Sequence, residues 1–148
     1  MLSYRVLEAH DFPTIAKWNV ELHKDEGSVP MTVADAEARL ARWFKGGRFG
    51  GIVFNLDAED IGYLVHENLA ADPELRGSHD AIYIRQFFIK QSKRRCGLGR
   101  NAFHLFQEVC NPTNLAVVLD VKATNPDGQK FWVSMGFQAQ HTHYALQD

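Results

Sequence analysis

A glycine-spaced, arginine-rich turn is the feature of this sequence best suited to chemistry. Residues 94–100 read Arg-Arg-Cys-Gly-Leu-Gly-Arg and lie between a run typical of a buried strand, residues 81–90, and a run typical of a helix. The first turn of a helix presents free N–H groups and the positive end of the helix dipole, so it attracts anions. The two glycines let a ligand approach the backbone closely. The sequence therefore predicts that this turn holds a phosphate-bearing cofactor.

The distribution of apolar residues predicts the elements that position this turn. Apolar runs predict strands at residues 4–7, 51–56, 61–66, 81–90, 115–123 and 137–146. Apolar residues at helical spacing predict four helices, which begin at Asp11, at Thr32 with Asp35, after the turn, and at Asn125. The predicted order is β-α-α-β-β-β-α-β-α-β.

Composition limits the classes of protein to which the chain can belong. With 148 residues, 45% of them hydrophobic, it suits a single domain over residues 1–148. A net charge of −2 argues against a general nucleic-acid binder. The sequence shows neither a signal peptide nor a run of about 18 apolar residues. Cys96 and Cys110 are too few and too far apart for a disulfide framework or a zinc site. We expect a cytoplasmic protein that binds no nucleic acid, membrane or metal.

Two motifs in sequence order identify a family resemblance. The turn reads Arg94-x-x-Gly97-x-Gly99. It is similar to the cofactor turn of the GNAT (GCN5-related N-acetyltransferase) superfamily, Arg/Gln-x-x-Gly-x-Gly/Ala. The resemblance implies an α/β (α+β) fold with a mixed, mostly antiparallel central sheet flanked by helices, in the element order predicted above.

The second motif lies about 30 residues after the turn and strengthens the resemblance. In the family it consists of an asparagine, then Phe-Tyr, then Gly-Phe. Here it stands as Asn125, Phe131-Trp132 and Gly136-Phe137. Together the two motifs place residues 61–137 in good register with the family.

The resemblance implies an enzyme that transfers an acyl group. In the family, acetyl-CoA donates its acetyl group to a primary amine by direct attack, so the implied acceptor is a small metabolite, an amino acid or a peptide. The implied cofactor-binding residues lie at the end of the central strand, in the turn and around the last helix: Phe88, Ile89, Arg94, Arg95, Cys96, Gly97, Leu98, Gly99, Arg100, Asn125 and Phe131. The backbone N–H of Ile89 would stabilise the oxyanion.

The usual catalytic positions of the family are where this chain departs from it. Relatives that act on polyamines carry two acidic residues where this chain has Arg85 and Gln86. The family's tyrosine, a frequent general acid, falls at Trp132, whose indole N–H only donates hydrogen bonds. Replacement groups are predicted to be Glu67 as base and Tyr144 as acid, with three alternatives near strand ends: His66, His79 and Asp80.

Four residues are predicted to contact the acceptor: Arg85, Gln86, Asp25 and Glu26. The two acidic residues would attract a cationic amine. Arg85 would favour an acceptor with a carboxylate or phosphate, unless it forms a structural ion pair. Because side chains alternate along a strand, only one of Arg85 and Gln86 is expected to face the cleft.

The missing acid and base also fit a protein of a different class. This alternative is a catalytically weak acyl-CoA-binding module with a regulatory or interaction role. A nucleotide-binding protein fits less well, because the sequence has no Gly-x-x-x-x-Gly-Lys-Ser/Thr loop. With room for only one strand after the second motif, a sheet edge would stay exposed, and a homodimer that covers it is predicted.

Overall fold

A five-stranded sheet with the order β1-β2-β3-β4-β5 forms the centre of the fold. The computed structural model describes residues 1–72 and 79–147. The strands are β1 (Leu2–Val6), β2 (Phe49–Leu56), β3 (Glu59–Leu69), β4 (Ala81–Ile89) and β5 (Ala116–Val118). The first four strands pair antiparallel, and β5 pairs parallel to β4. The predicted mixed, mostly antiparallel sheet is confirmed.

Four helices cover the two faces of this sheet. They are α1 (Phe12–Asp25), α2 (Val33–Lys45), α3 (Leu98–Cys110) and α4 (Pro126–Ser134), with short 3-10 turns at Ala9–Asp11 and Gln91–Lys93. On one face, Ile15 and Leu40 from α1 and α2 pack with Tyr63 and Phe88 from the sheet. On the other face, side chains of α3 and α4 pack against β2, β3 and β4. None of the helices in the described part of the chain is long and apolar enough to cross a membrane.

The start of α2 follows the capping pattern that the sequence predicts. Thr32 precedes the helix in an extended conformation, and its Oγ1 accepts a hydrogen bond from the N–H of Asp35 at 3.1 Å. This bond satisfies one of the backbone donors that a helix start leaves unpaired.

Removal of this cap is expected to destabilise the protein moderately. Thr32→Ala should lower the free energy of unfolding by about 1 kcal/mol, because the Asp35 N–H loses its acceptor. Thr32→Ser keeps the hydroxyl and serves as the control. Urea denaturation of the three proteins measures the difference, and equal midpoints for the alanine and serine variants would contradict the expectation.

Two predicted strands differ from the structure. β5 covers only residues 116–118 of the predicted 115–123. The predicted last strand, residues 137–146, is wrong, because no strand forms in residues 137–147 and residues 138–147 are exposed. Phe137 packs against Trp132 and Phe103. The following residues are mainly glutamine, histidine and threonine, which offer little apolar area to hold a strand against the sheet.

Candidate functional site

The sheet splits partway along β4, so that its later residues have a strand partner on one side only in the described part of the chain. β5 pairs with β4 only from Ala81 to Tyr83, while β4 continues to Ile89. The N–H of Lys90 donates to the carbonyl of Ile61 on β3 at 2.7 Å. Because alternate N–H groups of an antiparallel strand point to opposite edges, those of Phe87 and Ile89 point away from β3, to the open edge. This is the direction that the predicted oxyanion donor, Ile89, requires.

A cleft opens where β4 and β5 separate. It is lined by Glu26 after the end of α1, by Arg85 and Gln86 from β4, by Asp120 after β5 and by Asn125 before α4. Phe87 and Trp132 also line it. Acidic, basic and amide side chains from four separate parts of the chain therefore meet at the open edge of the sheet.

A β-bulge brings both Arg85 and Gln86 to this cleft. Val65 of β3 pairs with Gln86 and His66 pairs with Ile84, so Arg85 is an extra residue in β4. The bulge interrupts the alternation of side chains along the strand. The prediction that only one of the two residues faces the cleft is therefore wrong.

The turn between β4 and α3 exposes a row of backbone donors. Arg95 and Gly97 have positive φ angles of 63° and 82°, and Gly97 caps α3. Within the described ranges, no N–H group from residues 95–100 donates to a backbone carbonyl. These groups are available to an anion, as the sequence predicts.

The second glycine of the turn has a packing role. A Cβ at Gly99 would lie 3.1 Å from Cε1 of Phe131, which is closer than an ordinary contact. Phe131 in turn lies 5.9 Å from Phe87 of β4, measured between ring centroids. Gly99 therefore lets α3 approach α4, and Phe131 links both helices to the open strand.

Arg94, the first residue of the turn motif, clamps the end of β4 to the end of α1. Its Nε donates to the carbonyl of Ile89 at 2.6 Å and its Nη2 donates to Asp25 at 2.8 Å. The guanidinium group also lies over the ring of Phe88. Asp25, predicted to contact the acceptor, is held by Arg94 and does not line the cleft.

The polar side chains that follow Arg94 in the turn contact other groups of the protein. Arg100 donates to the carbonyl of Ser134 at 3.3 Å, and the exposed Cys96 donates to the carbonyl of Lys93. Arg95 is exposed, with a guanidinium nitrogen 4.0 Å from Asp127. The backbone N–H groups of the turn, more than its arginine side chains, are therefore the donors available to an anion.

Asn125 combines a structural contact with a position at the cleft. Its Oδ1 accepts a hydrogen bond from the N–H of Gly128 at 3.0 Å, so it caps α4 as predicted. The amide nitrogen of Asn125 has no hydrogen-bond partner in the described part of the chain. It is the group that this residue can offer to a ligand.

Glu67, the predicted base, is a buried carboxylate held in an ion cluster by two arginines at the surface instead. Its Oε1 accepts from Nε and Nη2 of Arg85 at 2.9 and 2.7 Å, and its Oε2 lies 3.0 Å from Nη2 of Arg48. Glu67 is only 3% exposed and does not line the cleft. Both carboxylate oxygens are bound by guanidinium groups, so Glu67 positions Arg85 and is poorly placed to accept a proton from an acceptor.

The remaining acid and base candidates also lie away from the cleft lining. Tyr144 is 88% exposed in the segment that forms no strand, so the structure does not support its predicted role as acid. His66 packs against Phe106, and burial lowers its pKa. His79 and Asp80 line a different depression.

Glu26 lines the cleft, and its side chain is partly buried. Burial raises its pKa, which makes it a stronger base than an exposed glutamate. The sequence predicts Asp25 and Glu26 as a pair, but neighbouring residues at a helix end point about 100° apart. Asp25 therefore turns to Arg94 while Glu26 lines the cleft.

A buried chain of hydrogen bonds, which the sequence did not reveal, supports Gln86. The Tyr63 hydroxyl donates to Oε1 of Gln86 at 2.9 Å. Asn19 Nδ2 donates to the Tyr63 hydroxyl at 3.3 Å, and Arg39 Nη2 donates to Oδ1 of Asn19 at 2.8 Å. Burial raises the pKa of Tyr63, which keeps its hydroxyl proton in place for Gln86. No local motif marks these four residues, since they come from four different elements, β4, β3, α1 and α2.

Comparison with known proteins shows similarity in structure but not in sequence. Neither a family sequence model nor a curated protein sequence matches the chain. A possible acetyltransferase from Clostridium difficile 630 has a TM-score of 0.79 at 15% identity, over 100% of this chain and 98% of that one. A GCN5-related N-acetyltransferase from Ralstonia eutropha JMP134 has a TM-score of 0.74 at 16% identity, over 99% of each chain.

A third solved structure was determined with a ligand. It is a predicted acetyltransferase with acetyl-CoA from Clostridium acetobutylicum, with a TM-score of 0.71 at 16% identity, over 99% of this chain and 96% of that one. At these identities the comparisons show the fold. The open edge of β4, the donor-rich turn and these neighbours agree: the chain has the fold of the GCN5-related N-acetyltransferases that its two motifs resemble.

Proposed function

We propose that this chain is an acyl-CoA-dependent N-acyltransferase that moves the acetyl group of acetyl-CoA to a primary amine of a small metabolite, amino acid or peptide. The observation that carries the proposal is that the N–H groups of residues 95–100, which make no backbone hydrogen bond within the described residues, lie a few residues beyond the part of β4 that β5 does not pair with. A pyrophosphate and an amide-containing arm are the chemical groups that such adjoining donors suit. The neighbour determined with acetyl-CoA supports the same reading.

The residues present suit this cofactor. The N–H groups of residues 95–100 would hold the pyrophosphate. The N–H of Ile89, at the part of the open edge nearer the turn, would hydrogen-bond a pantetheine amide, while the Ile89 carbonyl is held by Arg94. When bound, the cofactor supplies an activated thioester carbonyl.

The chain's own residues then act on the acceptor. A primary amine with an ordinary pKa near 10 is mostly protonated at neutral pH, so a base must take its proton before it attacks. Glu26 is the cleft carboxylate whose raised pKa suits this step. The N–H of Phe87, which lines the cleft at the open edge, would donate to the oxygen on which negative charge develops, in place of the predicted Ile89.

Release of free thiol from acetyl-CoA in the presence of an amine panel tests the proposal. The panel should contain amino acids, short peptides, polyamines and aminoglycosides, and acetyl-CoA affinity should be measured by calorimetry in parallel. We expect amine-dependent thiol release. Tight binding of acetyl-CoA without turnover on any acceptor would support the acyl-CoA-binding module, and no binding would contradict both functions.

A further inference from the structure

We propose that the acceptor carries a carboxylate close to its amine, and that Gln86 and Arg85 bind this carboxylate. The inference rests on the proposed function, because it concerns the acceptor in the same cleft. Of the possible amines, it selects free amino acids and similar amino carboxylates.

The buried hydrogen-bond chain determines which group Gln86 presents to the cleft. The Arg39 guanidinium only donates, so the group of Asn19 that faces it must be the carbonyl oxygen Oδ1. Asn19 Nδ2 then faces the Tyr63 oxygen, and the Tyr63 proton must go to Gln86 Oε1. The chain therefore has a fixed direction, which ends with Gln86 as an acceptor towards the protein interior.

This direction leaves the amide nitrogen of Gln86 for the cleft. Gln86 is only 6% exposed and lines the cleft, and its Nε2 has no partner within residues 1–72 and 79–147. This nitrogen is not among the buried unpaired atoms of the described residues, so it reaches the cleft surface, where an oxygen of a ligand can accept a hydrogen bond from it.

Arg85 adds a positive charge beside this donor. Glu67 binds Nε and Nη2 of Arg85, whereas Nη1 has no partner in the described part of the chain. Because Arg48 shares the same carboxylate, two guanidinium groups face one negative charge. Among these three side chains one positive charge is in excess, and Nη1 of Arg85 is the donor through which a ligand carboxylate could balance it.

The acidic groups of the cleft come from its other walls. Glu26 follows α1, and Asp120, which accepts a hydrogen bond from the Tyr83 hydroxyl, follows β5. Donors on β4 and carboxylates on the facing segments match the two charged groups of an amino acid. A simple diamine would leave the donors of Gln86 and Arg85 unpaired.

Sets of three related acceptors test this proposal. Each set contains an amino acid, its carboxamide and its decarboxylated amine, for example phenylalanine, phenylalaninamide and phenethylamine. We expect kcat/KM for the best amino acid to exceed that of its two partners by about 10- to 100-fold, the effect of one or two hydrogen bonds to a charged group. Turnover without this preference would overturn the present proposal alone. No turnover with any acceptor would overturn the proposed function and this proposal with it.

Two variants test whether Gln86 carries the preference. Gln86→Glu keeps an oxygen for the Tyr63 hydroxyl but replaces the Nε2 donor with oxygen. Tyr63→Phe removes the bond that orients Gln86, so Tyr63 is tested as a positioning residue. Both variants should lower the ratio of kcat/KM for the amino acid to that for the decarboxylated amine by about 10-fold. A purely structural defect would reduce both values and preserve the ratio, which would overturn the proposal.

Arg48 provides a matched control for Arg85. Arg85→Gln and Arg48→Gln each remove one guanidinium group from Glu67, but only Arg85 lines the cleft. The selectivity ratio should fall about 10-fold for Arg85→Gln and stay within about 2-fold for Arg48→Gln. Equal losses would show that the ion cluster acts only through the fold, and would contradict a role for Arg85 in binding.

Discussion

Glu26→Gln is expected to lower kcat for acetyl transfer by about 10²- to 10⁴-fold, the usual contribution of a positioned base. Glutamine is nearly isosteric but cannot take a proton from the amine. The wild-type rate should fall as the pH is lowered through the raised pKa of Glu26, because protonation removes the base. In the variant this pH-dependent loss of rate should disappear. The rate should still depend on the protonation state of the acceptor's amine.

The stability of the same variant should change in the opposite direction from its activity. Burial raises the pKa of Glu26, so the folded state binds the proton more tightly than the unfolded state does. The free energy of unfolding therefore falls as the pH rises through this window, and the ionised carboxylate costs stability at neutral pH. Glu26→Gln removes this cost, so its Tm at pH 7 should equal or exceed that of the wild type.

A change at an exposed residue of α1, the helix that Glu26 follows, serves as the control. Glu21→Gln makes the same charge change in α1, where we expect little effect on kcat. Thiol-release kinetics and thermal denaturation of the three proteins measure both quantities. If Glu26→Gln and Glu21→Gln had similar rates, Glu26 would not be the base.

Cys96→Asp is expected to weaken acetyl-CoA binding by about 10- to 100-fold. Cys96 is exposed in the turn, among the N–H groups that make no backbone hydrogen bond within the described residues. A carboxylate there would repel the pyrophosphate and would itself accept hydrogen bonds from the N–H groups of residues 95–100. The loss should shrink as salt is added, since salt screens exposed charges.

Cys96→Asn separates this charge effect from a change of shape. Asparagine has nearly the same size as aspartate but no charge, so its Kd for acetyl-CoA should stay close to that of the wild type. S-acetylpantetheine, which lacks the pyrophosphate, should not distinguish the two variants. Calorimetry gives the three affinities, and equal Kd values for the aspartate and asparagine variants would show that the anion binds elsewhere.

Local patterns were enough to predict most of the elements and the position of the turn between β4 and α3. The hydroxyl of Thr32 three residues before Asp35, and Asn125 before Pro126, are signals that act within one helical turn, and both caps are present. The turn at residues 94–100 likewise depends on neighbouring residues. Such signals can be read from one sequence because the interacting groups are close along the chain.

The acceptor side of the site depends on contacts that the sequence does not display. The bulge at Arg85 arises from pairing with β3, so the alternation within β4 could not reveal it. The ion cluster joins Glu67 of β3 to Arg48, which directly precedes β2, as well as to Arg85 of β4. These contacts explain why guanidinium groups hold both oxygens of Glu67, and they became evident only from the folded chain.

The central claim is that the turn and the open edge of β4 together bind acyl-CoA. A crystal structure of the protein with CoA tests it most directly. We predict that the pyrophosphate accepts hydrogen bonds from the N–H groups of residues 95–100, with the pantetheine arm along Phe87 and Ile89 and the thiol near Glu26. CoA bound at any other surface, with the turn and this edge empty, would contradict the account.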